Sequence, residues 1–87
     1  MTVVTLYGAP GCHLCEEARA VLERVRRDQH FELRERDITL DDRLHRIYLE
    51  RIPVVEVDGQ EMFDLFVDEA RLRARLTGLG RDLESAR

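Results

Sequence analysis

The sequence predicts an α/β fold in which a four-stranded mixed sheet is flanked by three helices, in the order β-α-β-α-β-β-α. Three observations carry that expectation. A β-branched run, residues 3–7, ends in Gly8-Ala9-Pro10-Gly11 and gives way to an apolar stripe of helical period. Asp58-Gly59 stands between two extended runs, a strong short-range hairpin signal. Finally, 87 residues that are 44% hydrophobic and 37% charged allow one modest core under a well-solvated surface.

Residues 3–7 read as the first strand. From His13 the pattern turns helical: Leu14, Ala18, Val21, Leu22 and Val25 form one stripe, which fades in the polar residues 26–30. Residues 31–37 alternate imperfectly, with Phe31 and Leu33 facing one way and Glu32, Arg34 and Arg36 the other. Such charge suits the edge of a sheet, where it discourages foreign pairing. Thr39 is the expected N-cap of the second helix, with Asp42 three residues on and Leu40, Leu44, Ile47 and Tyr48 as its apolar side. Residues 53–57 and 60–63 are the strands of the hairpin. The last helix is expected over residues 67–76, with Asp68 and Glu69 in its first turn and Gly78 just past its end. Residues 77–87 then form a tail, and chain 1–87 reads as one domain with its core over about residues 3–76. The first βαβ unit calls for a parallel strand pair joined by a right-handed crossover.

The formal net charge of −4 argues against a nucleic-acid partner, which needs a basic face. All 14 basic residues are Arg, scattered among acids. Glu23 and Arg27, Asp42 and Arg46, and Glu69 and Arg73 are each four apart, the spacing of pairs on a helix surface. No apolar run approaches the roughly 18 residues of a membrane span. The N-terminus shows no basic region, apolar stretch and cleavage site of a signal peptide. A cytoplasmic protein without a membrane partner, most simply a monomer, is therefore expected.

Two cysteines stand three residues apart. As a structural staple they would be weak, because so short a loop is worth only about 2 kcal/mol in the chain-entropy model. A reducing cytoplasm would also open the bridge. Redox or metal chemistry explains the pair better. Cys12-His13-Leu14-Cys15 falls where a strand and loop feed a helix N-terminus, whose unpaired amides and dipole favour a thiolate. Cys15 lies beside the apolar stripe, so its sulfur is expected to be more buried than that of Cys12. Two other readings stay open: a pair of buried core cysteines, or two of the four thiolates of a zinc or iron–sulfur site shared with a second chain. His13 either tunes Cys12, serves as a third ligand, or faces solvent. His30 and His45 are expected at the surface, and Leu14 as an exposed contact or part of the helix start.

A first strand, Cys12-His13-Leu14-Cys15 at a helix start, and Ile52-Pro53 opening a strand before a Gly turn together resemble the thioredoxin superfamily. The length is similar to that of its glutaredoxin-like members, over residues 3–76. That resemblance implies a thioredoxin-like fold and thiol–disulfide exchange; the sequence itself requires no organic cofactor, and no metal is expected in this reading. The resemblance implies that Cys12 attacks a partner disulfide and Cys15 resolves the mixed disulfide. It also implies that Pro53 is a cis-proline facing the pair, and that the main chain of Ile52 aligns bound substrate. The partner would be a disulfide-containing protein or a small thiol. A binding module of the same fold with little turnover is the remaining alternative.

The sequence departs from the family pattern in places that bear on partner choice. Gly8-Ala9-Pro10-Gly11 lacks the basic residue that many glutaredoxins carry before the first cysteine. Glu16 and Glu17 oppose a lowered Cys12 pKa, or simply stabilise the first turn. Phe63-Asp64 stands where glutathione-using members have Gly-Gly, adding bulk and negative charge, so glutathione is not the expected partner. Leu6 stands where thioredoxins carry a buried acid.

Overall fold

The computed structural model describes residues 1–85, with side chains through residue 78. Its elements run β1 (Val3–Gly8), α1 (His13–Asp28), β2 (Glu32–Asp37), a 3₁₀ turn (Ile38–Leu40), α2 (Asp42–Tyr48), β3 (Val54–Val57), β4 (Gln60–Asp64) and α3 (Glu69–Ser85). The strands form one sheet in the order β2-β1-β3-β4. β1 pairs parallel with β2, as the crossover demands, and β3 pairs antiparallel with β4, as the hairpin demands; β3 also lies antiparallel to β1. This is the predicted thioredoxin-like arrangement.

Hydrophobic alternation sets the registers. Val4 opposes Val57, Leu6 opposes Val55, and Val55 opposes Phe63, so these side chains share one face. Ala18, Leu22 and Val25 of α1 and Leu72 and Leu76 of α3 close over them, with Phe31 at the edge. Ile38 and Val54 are also fully buried but stand outside that cluster. Asp58 and Gly59 take φ of 49° and 83°, the two positive values that a type I′ hairpin turn needs. β2, with its charges, is an edge strand, as its composition predicts.

Three local expectations are corrected. Asp41, not Thr39, caps α2: its Oδ1 accepts from the amides of Arg43 and Leu44 at 2.9 and 3.2 Å. Thr39 lies in the preceding 3₁₀ turn, which Asp37 caps by accepting from the Thr39 amide and hydroxyl. Two aspartates four apart each offered a cap, and burial of Ile38 decided the geometry between them. Leu40 is consequently exposed, and α2 buries no residue fully. α3 begins two residues late because Asp68 caps it, accepting from the Arg71 amide at 3.1 Å. It also runs past Leu76 to Ser85, with Gly78 inside the helix rather than beyond it. An interior glycine costs only about 1 kcal/mol relative to alanine, and a four-three-four spacing of leucines (72, 76, 79, 83) continues the helical pattern through it. The tail's last two residues, 86 and 87, lie outside the described residues.

The spacing-based ion pairs hold in part. Arg73 pairs with Glu69 at 3.0 Å, but Glu23 takes Arg26 three residues on, and no ion pair joins Asp42 to Arg46.

Candidate functional site

Gly8 ends β1, and the chain turns at once. The Cys12 amide donates to the Ala9 carbonyl at 3.3 Å, closing a turn with Pro10 at its second position and Gly11, at φ 76°, at its third. Proline followed by a residue of positive φ is the type II pattern. This turn delivers Cys12 to the N-cap of α1. The Cys12 carbonyl accepts the first helical bond from Glu16, and its Sγ accepts from the Cys15 amide at 3.1 Å. An N-cap oxygen does the same work in most helices; here sulfur occupies the position.

Cys12 and Cys15 are joined by a disulfide, their Cα atoms 5.2 Å apart. Cys15 is 6% exposed, whereas Cys12 is half-buried. The asymmetry expected from the helical stripe is present. His13 turns outward and meets Glu17 at 3.3 Å. Leu14 is 45% exposed, beside the motif. Among the described residues, no group of three or more His, Cys, Asp or Glu side chains is gathered to hold a metal.

The peptide bond between Ile52 and Pro53 is cis. The Ile52 amide donates to the Tyr48 carbonyl at 3.1 Å, and the Pro53 carbonyl accepts from Leu65 at 2.9 Å. Phe63 corrects the sequence reading of this region. It points into the core, 7% exposed, and so adds no bulk at the surface. Asp64 is exposed and receives a hydrogen bond from Arg51 at 3.2 Å. The groups that stand out here are the next two: Leu65, held at φ 69°, and Phe66, 68% exposed. The spacing of Phe63 with Met62 hid this, because a register shift after Val55 puts Phe63 opposite Val55 on the core face.

Behind Cys15 the sequence reading missed a second feature. A cavity of about 290 Å³ is lined by Gly8, Cys15 and Arg19, with Glu35 and Asp37 from β2. Arg19 lies four residues after Cys15 and so over the same helix face, the one signal that marked it in advance. Gly8 approaches so closely that a Cβ there would stand 3.1 Å from Cys15 Sγ. On the opposite sheet face, the Tyr7 hydroxyl donates to Glu56 at 2.9 Å and its ring packs on Tyr48 at 4.9 Å. Burial, then that hydrogen bond, push the Tyr7 phenol up to about 12.

A family model described as Glutaredoxin-like domain (DUF836) matches residues 3–77. A protein from Nitrosomonas europaea, solved by NMR, is similar at a TM-score of 0.75 and 33% identity, covering 85% of this chain and 89% of that one. The crystal structure of a structural-genomics target protein from X. campestris has a TM-score of 0.71 at 34% identity, covering 86% and 96%. A mutant thioredoxin from Halobacterium salinarum, at 20% identity and a TM-score of 0.65, covers 88% and 73% and shares the fold. No curated protein matches the chain.

Proposed function

The chain belongs to the glutaredoxin-like domain family of the thioredoxin superfamily, and on that premise we propose that it is an enzyme that reduces partner disulfides with the Cys12–Cys15 dithiol. One observation carries the reading: Cys12 is the N-cap of α1, its sulfur held by the Cys15 amide, while Cys15 lies buried one turn in. An amide donor and a helix N-terminus both favour negative charge on Cys12. Burial disfavours it on Cys15.

The chemistry follows from that difference. The Cys12 thiolate attacks one sulfur of the partner disulfide, and the other partner sulfur leaves as a thiolate and takes up a proton. Cys15 then loses its proton and attacks Cys12 Sγ, closing the Cys12–Cys15 bond and releasing the second partner sulfur. Two electrons pass to the partner. An external thiol or dithiol restores the reduced pair by the reverse exchange. Because the Ile52 amide is already engaged by Tyr48, an extended partner would pair with the Ile52 carbonyl, beside Pro53.

The partner is a protein or small-molecule disulfide rather than glutathione, since Asp64 brings a charge to the end of β4 and Leu65 and Phe66 bring bulk just beyond it. We further propose that it acts in the cytoplasm as a monomer. Cys12→Ser should abolish disulfide reduction, whereas Cys15→Ser should accumulate a mixed disulfide with whatever Cys12 attacks. Turnover by Cys12→Ser, or anaerobically purified protein that carries iron or zinc and reduces nothing, would replace this reading with the core or metal one.

A further inference from the structure

The cavity behind Cys15 holds an ion pair that the exchange steps above leave unused. Each wall contributes differently. β1 gives Leu6 and Gly8, with no titratable group; α1 gives Cys15 and Arg19; β2 gives Glu35, Arg36 and Asp37. Cys12 is not among the lining residues.

Glu35 reaches this place through register. It opposes Leu6 in the parallel pair, and Leu6 is on the α1-facing side of the sheet. Glu35 therefore shares the face of Phe31 and Leu33 but stands at the open end of β2, where α1 covers it with Arg19 rather than with an apolar side chain. The Arg19 Nε donates to Glu35 Oε1, and both side chains remain about half exposed. The other two charged groups of the lining, Arg36 and Asp37, are opposite in sign and unchanged in every variant considered below. Asp37 is occupied by the Thr39 amide and hydroxyl. Arg36 lies on the next pleat, where its charge acts on Tyr7 across the sheet.

We propose that Arg19 and Glu35 are positioning residues for Cys15: as a pair they present a balanced charge to its sulfur across the cavity, and so set how readily that sulfur bears negative charge. The proposal rests on Cys15 being the resolving thiol. In that step Cys15 gives its proton to solvent, its thiolate attacks Cys12 Sγ, the Cys12–partner S–S bond breaks, and the departing partner thiolate is protonated by solvent. The cysteines end oxidised and the partner reduced. While the pair is intact its two charges largely cancel at the sulfur. Removing one partner leaves the other acting alone, and the two removals must act in opposite directions.

The test is the titration of each cysteine in the reduced full-length chain, followed by carbon NMR of labelled cysteine Cβ. Glu35→Gln leaves Arg19 uncompensated and should lower the Cys15 pKa; Arg19→Gln leaves Glu35 uncompensated and should raise it. Half-exposed charges are screened, so each shift should be about half a unit, shrinking as salt is added. The double variant should return close to wild type, as should Glu35→Asp, which keeps the charge. Shifts of the same sign, shifts below about 0.2 unit, or equal movement of Cys12 and Cys15 would overturn the proposal. A merely structural pair would lower stability without opposed signs. The readout is acidity, not turnover, so opposed shifts in a protein without disulfide reductase activity would uphold the charge coupling of the pair to Cys15 and overturn only the reading of Cys15 as the resolving thiol.

Discussion

Replacing Gly8 with alanine probes how tightly β1 packs on the cysteine pair. The new methyl would stand 3.1 Å from Cys15 Sγ and 3.2 Å from Cys15 Cβ, inside the usual contact distance of about 3.5–4.0 Å. Gly8 does not have a positive φ, so the substitution adds crowding without backbone strain. Overfilling a packed site costs about 1–3 kcal/mol, and a misfit of a few tenths of an ångström belongs in the lower half of that range. The cost depends on redox state. In the disulfide the Cys15 sulfur is tied to Cys12 and cannot swing away; in the dithiol it can turn towards the cavity. If about 1 kcal/mol of the cost is relieved on reduction, the potential should become less negative by roughly 20 mV, since about 1.4 kcal/mol corresponds to 30 mV for this couple. Alanine also narrows the unfolded ensemble by roughly 0.4–1 kcal/mol, but that gain is common to both redox forms and cancels in the potential. Equilibration against a thiol–disulfide buffer, with urea unfolding of each form, measures both quantities. Equal destabilisation of the two forms with an unchanged potential would refute the reasoning.

Tyr7 should ionise near pH 12 rather than 10, because burial and its bond to Glu56 hold the proton. The stability tied to its neutral form is then complete below about pH 10 and lost as pH rises towards 12. Solvent screening at this partly buried site keeps that loss to about 1 kcal/mol, and Tyr7→Phe should flatten it in alkaline unfolding curves. Glu69 is held below the ordinary glutamate range by hydrogen bonds from Arg24 and Arg73. Its contribution is present above that ordinary range and disappears as pH falls through its lowered value, so Glu69→Gln should show a shallower acid limb than wild type. Gly59→Ala should cost about 1–2 kcal/mol in urea, since φ there is 83° and the space is open, which makes the loss conformational rather than steric. Leu22→Ala should cost about 2–5 kcal/mol, as expected for a leucine with no exposure in the core, and a loss below 1 kcal/mol would contradict that placement.

The parts legible in the sequence are those governed by local chemistry. Pro10-Gly11 and Asp58-Gly59 name their own turns, because only a few residue types tolerate the backbone angles required. The stripe of Ala18, Leu22 and Val25 names its buried face through helical period. The cysteine pair was legible for the same reason: its spacing and its place after a turn belong to one segment. The misread caps show the limit. Asp37, Thr39, Asp41 and Asp42 are all competent capping residues within six positions, and local preference does not rank them. The tertiary burial of Ile38 does.

The surroundings of Cys15 belong to the part that local chemistry does not reach. Arg19 could be placed on the Cys15 face from spacing alone, but its partner could not be named. Glu35 is 16 residues away, and whether it meets Arg19 depends on the register of Leu6 with Glu35 and on β2 being the edge strand. A shift of one residue would turn Glu35 to the other sheet face and bring Arg34 or Arg36 beneath α1 instead. The same charges that read as protection of an edge would then set a positive group beside Cys15. The environment of the buried thiol is therefore a consequence of strand register, fixed by Phe31 and Leu33 seeking the core. That coupling explains how one run of residues, 31–37, can both guard the sheet edge and set the charge around Cys15.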